Sequence, residues 1–321
     1  MMQTGRREHA NYWTLIAGDA LDRRAMIRLA VVLAIVFGVI AGADAIASRT
    51  TPVMAVSAES VAPVVITATD LTVPATVPAG IVHFPTSTTQ DQPTSAGVIR
   101  LRDGLALADY LTDYHMANST EEATRVEGVR RIDSDAEYFG GVTVTAANPL
   151  RFTTLLAPGR YYVINYGAVK TPYLAQSVRP LDVVGTLGPQ PFPPRTDASI
   201  TLSGNGSGSR YETPDRLPAH GALLVTNKTA QLNEVMLVRI PPDTTPAEVT
   251  AFWAAVAKGG WPAKNILESQ PAGLSPLNPG RCGVADLDFT PGRYLLASFV
   301  TDRVTGNKGV IQGFWSMVTL Y

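Results

Sequence analysis

The chain has 321 residues, with Lys+Arg 26 against Asp+Glu 27 and a formal net charge of -1. Hydrophobic residues at 45% exclude a disordered chain, and the balanced charge leaves no basic surplus for holding nucleic acid. A single cysteine excludes an internal disulfide framework and a cysteine-based zinc site, while 27 Gly and 24 Pro favour turns and short strands over long helices.

In chain order, residues 1–24 precede Leu29 to Ala43, a run of 15 residues without a charge. Arg23, Arg24 and Arg28 stand before or at its start, and Asp44 follows it. Extended over residues 25–47, the segment is long enough for one tilted membrane helix. The arginines ahead of it predict a cytoplasmic amino terminus and an extracytoplasmic remainder, a single-pass chain of the cell membrane. A cleaved signal with a secreted product is the alternative reading of the same pattern. Residues 48–60 read as a tether.

The rest of the chain repeats itself. Pro158-Gly159-Arg160-Tyr161 returns as Pro291-Gly292-Arg293-Tyr294. Pro78-Ala79-Gly80 returns as Pro218-Ala219-His220-Gly221, and Val98-Ile99-Arg100-Leu101 as Leu237-Val238-Arg239-Ile240. The three matches keep one order at separations of 133 to 140 positions, which predicts two copies of one domain. They are placed at 61–187 and 197–321, joined by a proline-rich linker at 188–196. In each copy the run after Pro-Gly (YYVINY at 161–166, YLLASFV at 294–300) is a strand buried on both faces. One helix is predicted per copy. Thr245-Pro246-Ala247-Glu248 is a capping box, followed by Val249, Phe252, Trp253 and Val256 on one helical face. Leu107, Tyr110, Leu111 and Tyr114 repeat that spacing in the first copy.

A strand ending in Ile-Arg-Leu or Val-Arg-Ile, a helix, a loop and then Pro-Gly-x-Tyr opening an apolar strand resembles the cupredoxin-like (plastocyanin-like) family. The resemblance implies a mainly β fold, with two Greek-key sandwich domains in tandem, each carrying one inserted helix. It also implies where copper ligands would stand. The cysteine position falls at Asn165 and Ser298, and the following histidine near Tyr173 and Gly309. The methionine position falls near Val178 and Phe314, and the earlier histidine near Thr94 or Ser95 and near Asn233 or Glu234. None of these residues is a thiolate, an imidazole or a thioether. No metal and no cofactor is therefore expected.

Other chemistry is sparse. His83, His115 and His220 share no metal-ligand spacing, and Cys282 stands in a loop, where it is a candidate for an intermolecular thiol. Gly204-Asn205-Gly206-Ser207-Gly208 lacks the Lys-Ser or Lys-Thr of a phosphate loop and reads as a hairpin tip. The acidic pairs Glu121 with Glu122 and Asp133 with Asp135 read as solvated loop carboxylates. Trp261, Trp315 and Tyr321 are candidate contacts for a partner. The reading is a non-catalytic binding protein with a protein partner at the outer membrane surface, held by residues 25–47. A metal-dependent redox or hydrolytic enzyme with atypical ligands, or a carbohydrate-binding module, are its alternatives.

Overall fold

Along Asn233–Arg239, Val235 and Leu237 pack into one buried cluster while Met236 and Val238 pack into another. Successive strand side chains point to opposite faces, so a strand of this kind must be covered on both sides. The same alternation separates Val98 from Ile99 and Val163 from Ile164 in the first half of the chain. Layered packing follows from that pattern: two sheets face each other across one core, and helices cover the outer face of one of them.

The computed structural model describes residues 59–260, 262 and 264–321. Its first half runs β1 (Ser60–Val61), β2 (Val64–Ile66), β3 (Leu71–Thr72), β4 (Thr76–Pro78), β5 (Gly80–Thr88), β6 (Thr94–Leu101), α1 (Leu107–Met116), α2 (Glu122–Asp135), β7 (Ala136–Val144), β8 (Leu150–Leu156), β9 (Gly159–Asn165) and β10 (Val178–Val184). The second half runs β11 (Ala198–Ser203), β12 (Arg210–Glu212), β13 (Arg216–Leu217), β14 (His220–Asn227), β15 (Asn233–Arg239), α3 (Pro246–Ala257), β16 (Ala272–Leu277), β17 (Cys282–Asp288), β18 (Gly292–Ala297) and β19 (Trp315–Leu320).

One sheet has the order β12-β11-β14-β17-β8-β5-β2-β3, with β1 also on β5, and the other β13-β19-β18-β15-β16-β7-β6-β9-β10-β4. Each order reads the same from both ends once β2 to β10 are matched in turn with β11 to β19, and only β1 has no counterpart. The halves meet in the middle of both sheets. There β17 pairs antiparallel with β8, Ala285 opposite Phe152, and β16 pairs antiparallel with β7, Gly273 opposite Thr143. Arg281 reinforces the seam, paired with Glu137 and stacked 3.7 Å from the centre of the Phe139 ring.

The repeated Pro-Gly-Arg-Tyr makes the same corner twice. Tyr161 donates its hydroxyl to Ala157 O at 3.0 Å, and Tyr294 donates to Thr290 O at 2.8 Å. Gly159 and Gly292 sit at φ 152° and 155°, which a side chain would strain. A Cβ there would also approach the guanidinium of Arg100 in one half and Arg239 in the other, at 3.6 and 3.4 Å.

Three expectations are corrected. The first half carries two helices, not one, and α2 is the addition. The acidic pairs are consequently not loop residues. Glu121 caps α2 by accepting from Ala123 N and Thr124 N, and Asp133 and Asp135 lie in its last turn. The placement of the chain as a single-pass membrane protein is also withdrawn: among the described residues no helix is long and apolar enough to cross a membrane. Residues 25–47, read as a span or a signal, lie outside the described residues, as does Trp261.

Candidate functional site

The positions that resemblance assigned to copper ligands do come together, in pairs. In the first half Thr94 donates its hydroxyl to Asn165 Oδ1 at 2.8 Å, and Gly167 N donates to the same oxygen at 2.9 Å. In the second, Ser298 donates to Asn233 Oδ1 at 3.0 Å, and Asn233 Nδ2 donates to Thr229 Oγ1 at 2.7 Å. Thr94, Asn165, Asn233 and Ser298 are all buried. These are neutral amides and hydroxyls already satisfied by one another, so the donor set does not fit a copper ion bound by thiolate and imidazole. Tyr173 is exposed, away from the core, whereas Gly309 is buried and a Cβ on it would stand 3.1 Å from Ser298 O.

One residue further along each strand the chemistry changes. Ser95 and Glu234 occupy matching positions on β6 and β15, and Tyr166 and Phe299 follow Asn165 and Ser298. Glu234 shares the outer face of its strand with Met236 and Val238, since alternate residues point the same way. All four residues line one cavity of about 230 Å³ on the outer face of the ten-stranded sheet, where the two halves meet.

The cavity has an apolar wall and a polar end. Val129 and Ile132 from α2, Val169, Leu232 and Val300 supply hydrocarbon. Tyr114, Tyr138 and Tyr166 form a cluster: Tyr138 stacks with Tyr166 at 6.2 Å between ring centres, and Tyr114 meets Tyr166 at 5.8 Å with the rings tilted by 45°. The Tyr166 hydroxyl is buried and has no hydrogen-bond partner. Tyr138 is paired instead with Tyr110, hydroxyl to hydroxyl at 2.8 Å. Burial raises the pKa of all three phenols, Tyr110, Tyr138 and Tyr166, well above the ordinary value, so each keeps its proton.

Glu234 and Lys308 stand at the polar end. Burial pushes the Glu234 carboxyl up to about 7, against the opposing pull of the Phe299 N–H, which it accepts at 2.8 Å, and of the Lys308 charge. Burial likewise brings the Lys308 ammonium down to about 8, and the charges of Arg125 and Lys170 push the same way. The two do not form a direct ion pair. An acid and a base both poised near neutrality on the wall of one cavity mark a candidate site.

The roof joins the halves. Arg125 on α2 donates to Gly306 O at 3.0 Å, Arg130 to Arg303 O at 3.1 Å, and Arg303 pairs with Asp133 at 2.8 Å. The loop that carries Lys308 is itself held by Asp302, which accepts from Val304 N and Thr305 N. Helix α2 therefore clamps the loop that presents Lys308 to the cavity.

The remaining sequence candidates lie elsewhere. His83 bonds Thr153 Oγ1 and Glu59, and His220 pairs with Asp288 at 2.9 Å; neither touches the cavity. Cys282 opens β17, half-buried, its thiol pKa raised by burial. Gly206–Gly208 forms a short turn between the antiparallel β11 and β12. Among the described residues no group of three or more His, Cys, Asp and Glu could hold a metal ion. Glu234, Tyr166 and Lys308 were not singled out as a site. The visible signal was Glu234, a charge directly before the apolar run Val235 to Val238.

No family model matches the chain, and no curated protein matches it. Solved structures similar to it include auracyanin from Roseiflexus castenholzii, 16% identical over 38% of this chain and 94% of that one, with a TM-score of 0.23. A copper-containing nitrite reductase from Thermus scotoductus is 11% identical over 82% of this chain and 62% of that one, TM-score 0.22. A multicopper oxidase is 12% identical over 82% and 88%, TM-score 0.22. These neighbours are of the cupredoxin-like kind, at TM-scores too low to carry chemistry across. The expectation of a chain that is not an enzyme is withdrawn; chains described as a nitrite reductase and a multicopper oxidase are among these neighbours.

Proposed function

We propose that this chain is a double cupredoxin-like sandwich, with copies at 61–187 and 197–321, which binds a small, partly apolar molecule in the cavity between them. The matched strand orders and the repeated Pro-Gly-Arg-Tyr corner support the two copies. The observation that carries the function is the cavity itself, where Glu234 and Lys308 stand beside a wall of hydrocarbon and aromatic rings, with the paired Asp133 and Arg303 also lining it. Ligand sites have this composition: mostly hydrocarbon, with a few polar groups that fix orientation. An apolar cavity of about 150 Å³ already holds benzene, so about 230 Å³ accommodates a substituted ring.

The site also holds what a proton transfer requires, an acid and a base that change charge near neutral pH. Whether the bound molecule is only held or also transformed depends on its chemistry, and binding comes first in either case. The test is a methyl-resolved NMR titration with single-ring compounds. Shifts concentrated on Val129, Ile132, Val169, Leu232 and Val300 are expected. Shifts confined to other methyls, or none, would overturn the assignment.

A further inference from the structure

We propose that Lys308 is a nucleophile for carbonyl compounds: its amine condenses with a neutral aldehyde, carrying an apolar body about the size of one ring, that has entered the cavity. The proposal rests on the cavity being a ligand site and adds the chemistry that captures the ligand.

The placement of the amine comes first. Lys308 is half-buried and lines a cavity walled by Val129, Ile132, Val169 and Val300. Among the described residues its side chain meets no carboxylate and donates no hydrogen bond, whereas Lys264 is paired with Glu248. The loop that carries it is fixed by Asp302 and by Arg125 of α2. Burial among hydrocarbon disfavours the charged form of a lysine. The Lys308 ammonium is accordingly brought down to about 8, chiefly by burial. The Glu234 charge pulls against that shift, and the like charges of Arg125 and Lys170 add to it from outside the cavity. The free amine is the nucleophilic form of a lysine. Near pH 8 about half of Lys308 carries it, against less than about 1% of a lysine titrating at 10.5.

The lining sets the charge of what enters. Asp133 and Arg303 are paired with one another, and Glu234 stands as one acid against Lys308 as one base. A neutral molecule leaves that balance undisturbed. No cysteine or histidine lines the cavity among the described residues, and Tyr138 and Tyr166 keep their protons, so the amine is its strongest nucleophile. Among neutral apolar molecules an aldehyde is what an amine captures. The nitrogen lone pair attacks the carbonyl carbon, a C–N bond forms, and the C–O π pair moves to oxygen. Both amine hydrogens pass to that oxygen, which leaves as water while nitrogen closes the C=N bond. The atoms balance without an oxidant or a reductant.

The probe is benzaldehyde, incubated with the full chain near neutral pH together with cyanoborohydride, which reduces an imine to a stable secondary amine. Peptide mapping by mass spectrometry then locates each added benzyl group among the chain's five lysines, Lys170, Lys228, Lys258, Lys264 and Lys308. Lys308 is expected to be labelled at least about tenfold faster than the other four, because more of it is free amine. An excess of benzyl alcohol, which has the same ring and no carbonyl, is expected to slow Lys308 and leave the others unchanged. In Lys308→Arg the fast label should vanish while the slow ones persist. Lys308 labelled no faster than the other lysines would overturn the imine; shifts of the cavity methyls by benzyl alcohol would then leave the cavity as a binding site. Benzyl alcohol that neither shifts those methyls nor slows Lys308 would overturn the cavity reading itself. Should Lys308→Arg fail to fold, the relative labelling of the five lysines in the parent chain decides alone.

Discussion

Glu234 is 7% exposed and faces a lysine it does not touch, a costly placement for a carboxylate. Its effect on stability follows from where it titrates. In the folded chain the group holds its proton to about pH 7, against 4.5 for an exposed glutamate. Between those values the native state binds more protons than the unfolded chain, so this residue makes stability fall as pH rises. Lys308 titrates near 8 rather than 10.5, and across that upper window the unfolded chain binds more protons, so stability rises with pH. The pair is therefore least favourable between about pH 7 and 8. Glu234→Gln keeps an acceptor for the Phe299 N–H and removes the ionisation. Its melting temperature, measured against the parent from pH 5 to 7, is expected to lose the downward slope that Glu234 imposes. Parallel profiles for the two proteins would show that Glu234 titrates normally.

Among the elements, α3 and α2 contrast in how they start and what they pack against. At α3, Thr245 accepts from Glu248 N at 3.3 Å while the Glu248 carboxylate accepts from Thr245 N at 2.9 Å, and Pro246 opens the helix. Those residues are contiguous and the apolar stripe behind them is complete, so the helix is legible from local spacing alone. In α2, Glu122–Asp135, charged and polar residues dominate, and the buried face is only Gly128, Val129, Ile132 and Asp135. Its support comes from elsewhere in the chain: α1 packs against it, and Arg125 and Arg130 bond the loop at 303–306. No periodicity records such distant contacts. Replacing Thr245 with Ala removes one side of the capping box and is expected to cost about 1 kcal/mol. Thermal unfolding should show that loss with the methyl shifts produced by single-ring compounds unchanged, since α3 lies outside the cavity. A loss of binding would mean that α3 supports the site.

At the scale of the whole molecule the halves share their hydrogen bonds. Because β8 pairs with β17 and β7 with β16, one hydrophobic cluster spans both halves, with Val98 and Phe152 on one side and Leu237 and Leu274 on the other. Separating the halves would expose four strand edges, those of β7, β8, β16 and β17, and open that core, which is unfavourable on both counts. Calorimetry of the chain is expected to give one endotherm whose calorimetric and van't Hoff enthalpies agree. Two resolved endotherms would show halves that unfold independently.

What the sequence determined by itself is what depends on neighbours in the chain: alternating burial, the Pro-Gly turns, the capping box, and the recurrence of Pro-Gly-Arg-Tyr, which makes the same corner twice. By resemblance it offered Thr94 or Ser95 opposite Asn165, and Asn233 or Glu234 opposite Ser298; only the structure shows that Thr94 bonds Asn165 and Ser298 bonds Asn233. The tertiary structure alone decided the second helix of the first half and the cavity. Glu234 and Lys308 are 74 positions apart, and Tyr166 belongs to the other half. Their proximity arises from strands pairing across the seam and a helix closing over it. The perturbed titration follows from desolvation, and desolvation depends on everything packed around a group rather than on the residues beside it in the chain.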